Sequence, residues 1–154
     1  MRRGIQDLVL GFTGTRNGMT KLQRENFIKF VRCFNPVMFH HGDCIGADEE
    51  AHEIVDSLGI PITIHPPLID AKRAYCNRKK NKVTIEITEE FEYLKRNRHI
   101  VNSSDVVVAI PKKMKEELAS GTWATVRYAK SIDKTVFIIW PQFDPSRYPW
   151  SMEE

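Results

Sequence analysis

The chain has no apolar run of membrane-spanning length, so no transmembrane segment and no membrane partner are expected. Cysteine is scarce. Cys33, Cys44 and Cys76 are odd in number and lack close pairing, which argues against a disulfide framework and for a reducing, cytoplasmic compartment. All three thiols are expected to be buried or half-buried. A Walker-type lysine loop and a complete G-x-G-x-x-G are both missing, which counts against ordinary NTPase or dehydrogenase chemistry, and no cofactor is expected. The opening MRRGIQDLVLGF has a basic front, a short apolar stretch and no small-residue cleavage site. It reads as the lead into a strand rather than a secretory leader. Excess charge is slight: a formal net charge of +3 suits an anionic ligand without by itself indicating nucleic acid.

What the chain does have is alternation between short β-like runs and helical spacing. Leu8 to Phe12 reads as a strand, and a helix follows, with capping-box spacing at Thr20 and Gln23 and an apolar face of Phe27, Phe30, Val31 and Phe34. Pro36 stops that helix. Val37–His40 is a second strand, and Ala47, Ala51, Ile54, Val55 and Leu58 stripe a second helix closed by Gly59. Pro61–His65 is a third strand, followed by an irregular basic segment from Asp70 to Lys82 and a short extended piece at Val83–Ile87. A helix is expected from about Thr88 to Val101, a strand over Asp105–Ile110, a helix from Ser120 to about Ile132, and a last strand over Thr135–Trp140. The tail, 141–154, reads as a surface-packed coil whose Tyr148 and Trp150 are free to meet a partner subunit.

Strands alternating with helices imply parallel pairing through right-handed crossovers. Continuously apolar runs such as VVVAI and VFIIW fit strands covered on both faces. The fold expected is therefore α/β: one Rossmann-like three-layer domain over residues 1–154, with a mainly parallel sheet of five strands or slightly more.

In such sheets ligands bind beyond the carboxyl ends of the strands, where the topology reverses. Three glycine-bearing turns fall at strand ends. Thr13-Gly14-Thr15-Arg16 offers close backbone approach, hydroxyl donors and a forked cation. His41-Gly42-Asp43-Cys44-Ile45-Gly46-Ala47-Asp48 opens a helix whose positive end is expected to face the pocket. Asp48 there serves either the helix dipole or a ribose or base. Ser120-Gly121-Thr122-Trp123-Ala124-Thr125 gives a capped helix start with free N–H groups suited to phosphate.

His40, His41, Cys44 and His52 cluster in sequence, but adjacent residues on a strand point to opposite faces and no second cluster completes a tetrahedral set. No metal is expected. The run Lys72 to Lys82, with Tyr75 inside it, is either a solvated loop or a contact for nucleic-acid phosphates or an anionic ligand.

The three turns, together with Arg96-Asn97-Arg98-His99-Ile100, resemble the superfamily that joins DNA-processing protein A (the Smf family) to the "Lonely guy" phosphoribohydrolases, here as a small stand-alone bacterial or phage member. The shared order is G-x-T-G-x-R over Gly11–Arg16, H-G-x-x-x-G-A-D over His41–Asp48, R-N-x-x-I over Arg96–Ile100 and S-G-T-x-x-T over Ser120–Thr125. The resemblance implies a Rossmann-like sheet, a nucleotide-type ligand, and a homo-oligomer. It also matches Arg98 to the arginine that such enzymes place near phosphate. The hydrolases carry a glutamate where this chain has Thr125, and Glu116 and Glu117 lie just upstream. The S-G-T-W-A-T string is similar instead to the DNA-processing branch, which handles single-stranded DNA.

The leading expectation is a module that binds a phosphate-bearing nucleotide or derivative, as sensor or sequestering protein. Its ligand set is Thr13, Gly14, Thr15, Arg16, His41, Gly42, Asp43, Gly46, Asp48, Arg98, Ser120, Gly121, Thr122 and Thr125. The alternatives are an N-glycosidic hydrolase of nucleoside monophosphates, with Asp43, Asp48 or Glu117 as its carboxylate, and a single-stranded DNA-binding protein.

Overall fold

A computed structural model describes residues 7–146 and 150–153. In chain order the elements are β1 (Val9–Gly14), α1 (Lys21–Phe34), β2 (Met38–His41), α2 (Ala47–Ser57), β3 (Ile62–Ile64), β4 (Ile85–Ile87), α3 (Tyr93–Asn102), β5 (Val106–Ile110), α4 (Gly121–Ser131), β6 (Thr135–Ile139) and β7 (Trp150–Glu153). Two single-turn 3-10 helices, Asp70–Lys72 and Cys76–Arg78, lie in the basic segment between β3 and β4.

The strands form one sheet in the order β4-β3-β2-β1-β5-β6-β7. All neighbouring pairs are parallel except β6 with β7. The chain moves outward from β1 to β4, crosses back, and continues outward on the other side from β5. The reversal therefore opens a crevice at the carboxyl ends of β1 and β5.

Alternation along each strand feeds two cores. Leu10 and Phe12 face α1 and α2, where Phe12, Phe27 and Phe39 meet with centroids 5.5 to 6.1 Å apart. Val107, Ala109 and Ile138 face the opposite way, onto Val101 of α3 and Trp123 and Val126 of α4. This is the expected three-layer α/β arrangement.

Residue chemistry explains the element ends. Thr20 and Gln23 form a reciprocal capping box at the start of α1. The buried Gln23 amide also donates to the carbonyls of Pro111, at 2.7 Å, and Ile139, at 3.0 Å. α1 is thereby tied to the ends of β5 and β6, beside the crevice. At its other end α1 stops on Asn35 in the left-handed conformation, just before Pro36.

The sheet, expected at five strands or slightly more, has seven, since Ile85–Ile87 pairs with β3 and Trp150–Glu153 pairs with β6. Three expectations need correction. Residues 88–92 are not helical: Phe91 bridges to Pro67 and accepts from the N–H of Leu68, so α3 starts only at Tyr93. The tail is not simply a surface coil, since Trp150–Glu153 forms a strand, and the Trp150 ring is engaged within the chain. That ring packs edge-on against Phe30, with centroids 5.2 Å apart. Tyr148 lies outside the described residues. Lastly, Cys33 is exposed, while Cys44 and Cys76 are buried as expected.

Trp150→Ala is expected to destabilise the protein by about 2 kcal/mol in urea denaturation, through the lost contact with Phe30. A truly peripheral tail would leave the midpoint unchanged.

Candidate functional site

A cleft of about 390 Å³ occupies the crevice at the strand reversal. Four pieces of chain wall it: the β1–α1 loop, the β2–α2 turn, the first turns of α3, and the β5–α4 loop. From the end of β1 and the loop after it the cleft gathers Thr13, Gly14, Thr15 and Arg16, and from the β2–α2 turn and the start of α2 Gly42 and Asp48. Glu117, Ser120, Gly121 and Thr122 close the other side, so Arg16 and Gly121 face a single cavity.

The α4 side is built to receive negative charge. Ser120 caps the helix by accepting the Trp123 N–H, at 3.3 Å. Among the described residues, the N–H groups of Gly121 and Thr122 have no protein acceptor. Thr13 is 8% and Thr122 7% exposed, yet neither hydroxyl has a protein partner. Arg16 stands over the Tyr93 ring, 4.9 Å from its centroid. Lys112 adds a further cation to the wall.

The floor centres on a residue that the sequence reading quoted in a motif but left out of the ligand set. Arg96 is 4% exposed and donates from Nη1 to the carbonyl oxygens of Gly42 and His65. Its Nη2 reaches Cys44 Sγ at 3.7 Å, its Nε donates to Asn97 Oδ1 at 2.7 Å, and among the described residues no carboxylate pairs with it within salt-bridge distance. Gly42 is glycine because a Cβ there would sit 2.6 Å from Arg96 Nη1. Asp48, also on the floor, accepts the N–H of Cys44 at 3.2 Å. Burial pushes its carboxyl up to about 6, against the opposing pull of Arg96 and the N–H groups of Cys44 and Gly42. Burial, with Asp48 beside it, also raises the Cys44 thiol.

The remaining expected site residues lie elsewhere. Arg98, two positions from Arg96, lies over Tyr128 between α3 and α4, 4.9 Å from the ring centroid. Thr125 gives its hydroxyl to the Gly121 carbonyl. Glu116 is paired with Arg127 at 2.6 Å. Gly46 does not offer a free helix end: Ala47 N–H donates to the Thr15 carbonyl at 3.0 Å. A Cβ on Gly46, whose φ is 88°, would collide with the Arg16 carbonyl oxygen. The β1–α1 loop thus occupies the positive end of α2.

Asp43 and His41 face away from the cleft, into α2 and the basic segment. Asp43 is fully buried in the left-handed conformation. Its carboxylate accepts from Arg73 Nε at 2.8 Å and Cys76 N at 2.9 Å, while its carbonyl accepts the Ala74 N–H. The basic segment is therefore a strap beneath the β2–α2 turn. Lys79 in that strap is bound to Glu49 and Glu53, so two of its cations, Arg73 and Lys79, are already committed within the protein.

His40 and His41 do point to opposite faces, toward His65 at 2.7 Å and His52 at 2.8 Å. The ligand atoms of His41, His52 and Cys76 lie within 4.8 Å of one another, a grouping that includes Cys76 rather than Cys44. Hydrogen bonding argues against a metal there. Asp43 N–H donates to His41 Nδ1, which puts the ring proton on Nε2, the atom an ion would need. That proton passes to His52 Nδ1, and His52 Nε2 donates in turn to Asn81 Oδ1 at 2.6 Å.

No protein-family model matches the chain, and no curated protein matches it in sequence. Solved structures match it in fold. DNA processing protein A from Streptococcus pneumoniae superposes with a TM-score of 0.69 at 17% identity, over 92% of this chain and 53% of that protein. DNA processing protein A from Helicobacter pylori, described for its single-stranded DNA binding mode, gives 0.61 at 22% identity over 91% of this chain and 68% of the other. The molybdenum cofactor binding protein of Rippkaea orientalis gives 0.62 at 20% identity, over 86% and 76%. The resemblance read from the glycine turns is thus matched by a shared Rossmann-like fold.

The histidines make stability depend on pH. Burial lowers His40 to about 4 and His65 to about 3, and burial with the His52 charge drives His41 well below its usual range. Unfolded histidines titrate near 6.5, so below that pH the unfolded chain takes up protons that the folded chain refuses. Asp48 works in reverse: folded it binds a proton near 6, unfolded only near 3.8. Stability is expected to fall by about 2 kcal/mol per pH unit between pH 6 and 4, with half-buried His40 discounted. Urea titrations across that range check it, and a flat midpoint would contradict the buried neutral histidines.

Proposed function

We propose that the cleft binds a nucleotide or nucleotide-derived ligand by its phosphate, as a sensing or sequestering module. The observation that carries this reading is the pairing of unsatisfied donors on two different loops. The Thr13 and Thr122 hydroxyls and the Gly121 and Thr122 N–H groups face one cavity with Arg16. A helix N-terminus with free N–H groups attracts anions, and a guanidinium adds forked charge-assisted bonds. A volume of about 390 Å³ suits a small molecule. Tyr93, Leu94 and Ile100 supply an apolar wall for a base, and Asp48 an acceptor for sugar hydroxyls. The ligands named for the fold's neighbours, a cofactor in one and single-stranded DNA in another, differ in kind, so the choice rests on the cleft.

A second reading is favoured by Asp48 alone. A carboxyl that titrates near 6 on the cleft floor is suited to donating a proton to a departing base. Water would add at the anomeric carbon as the N-glycosidic bond breaks, and the base would leave with the proton from Asp48. The proton lost by the water would pass to solvent, from which the Asp48 carboxylate is reprotonated.

Calorimetry with AMP is expected to show binding that weakens at least about tenfold in Arg16→Ala, as loss of a charge-assisted contact requires. Undiminished affinity would remove the phosphate site. If the protein is a hydrolase, incubation with nucleoside monophosphates releases free base and Asp48→Asn abolishes the release. No release across the panel leaves the binding module.

A further inference from the structure

Arg98 takes no part in the cleft, and its surroundings give it another use. A second cavity of about 140 Å³ lies between α3 and α4, lined by Leu94, Asn97, Arg98, Thr125, Arg127 and Tyr128 among others. Leu94 and Asn97 line both cavities, so the second adjoins the first across one turn of α3. The chemistry of the smaller cavity is one-sided. Arg98 is exposed, lies over Tyr128 and, among the described residues, pairs with no carboxylate. Arg127 is held in place by Glu116 and the Leu118 carbonyl. The Thr125 and Tyr128 hydroxyls are spent as donors, to Gly121 and Asn102, and Asn97 Oδ1 is taken by Arg96. No carboxylate lines the cavity, and its unspent donors are the Arg98 guanidinium and the Asn97 amide N–H, while the Thr125 and Tyr128 oxygens remain acceptors.

We infer that this cavity is a second phosphate subsite, and that the ligand is a nucleoside unit carrying phosphate on both sides of its sugar. This rests on the phosphate reading of the main cleft, and extends it. The first phosphate lies against Gly121, Thr122 and Arg16. The sugar passes Leu94 and Asn97. The second phosphate meets Arg98, whose guanidinium lies over the Tyr128 ring and forms forked bonds to that phosphate. Both a free nucleoside 3′,5′-bisphosphate and the 5′-phosphorylated end of a dinucleotide present this chemistry.

Calorimetry on the full chain with AMP, adenosine 3′,5′-bisphosphate and 5′-phosphorylated diadenylate tests the inference. The bisphosphate is expected to bind about tenfold more tightly than AMP, the scale of one added charge-assisted contact. Arg98→Ala should erase that gain while AMP affinity stays within about twofold, and Arg98→Lys should restore part of it. A further gain with the dinucleotide identifies an oligonucleotide end as the source, and a loss identifies the free bisphosphate. Equal affinity for AMP and bisphosphate, or an equal loss of both in Arg98→Ala, overturns the second subsite and leaves the first. Failure of all three compounds to bind overturns the phosphate reading and this extension together. Thermal unfolding of each variant separates a lost contact from a lost fold.

Discussion

Arg96 holds the carboxyl edge together by giving its guanidinium to backbone rather than to an acid. Its Nη1 takes the carbonyls of Gly42 and His65, which follow β2 and β3, so α3 is locked across two strand ends at once. A charge removed from water without a counter-ion is costly, and carbonyl dipoles offset that cost only in part. Positive potential is left directed into the cleft. The same placement crowds position 42, where a Cβ would meet the guanidinium, and Arg96 also pulls on the neighbouring Asp48 carboxyl. On the proposed reading, an anion in the cleft would complete an electrostatic arrangement that the protein alone leaves open.

Two helix starts at this edge look alike in sequence and are used in opposite ways. α2 begins after a glycine turn, but the Thr15 carbonyl occupies its first N–H and the loop backbone lies against Gly46. α4 begins after a serine cap, and its first two N–H groups remain unspent. The first helix therefore anchors the β1–α1 loop, and the second faces the space that the loop encloses. Glu50 reinforces the anchor by accepting the Met19 N–H at 2.8 Å.

The alternating pattern made the layers and most strands legible, because buried parallel strands and amphipathic helices have different periods. β7 was not legible, since Ser151, Met152 and Glu153 carry no apolar alternation and pair only because β6 offers an edge. Within the site, the three turns were legible as chemistry but not as direction. His41 and Asp43 share the face that Phe39 presents to the core, so they turn away from the cleft, whereas Gly42 turns toward it. Arg98 was matched by motif, yet helical spacing points to Arg96: it lies four residues before the core residue Ile100, while Arg98 falls on the other side of the helix. Cys44, Tyr93 and Lys112 gave no signal, because their place in the cleft depends on how separate loops meet.

The two margins of the sheet are short. β4 contributes three residues and β7 four, against six in β1. Short margins present few exposed ladder groups to a foreign strand, and template-like addition along the sheet is accordingly disfavoured. Contacts with other macromolecules fall by default to the helical layers and the loops above them, which leaves the seven-stranded core free of that duty.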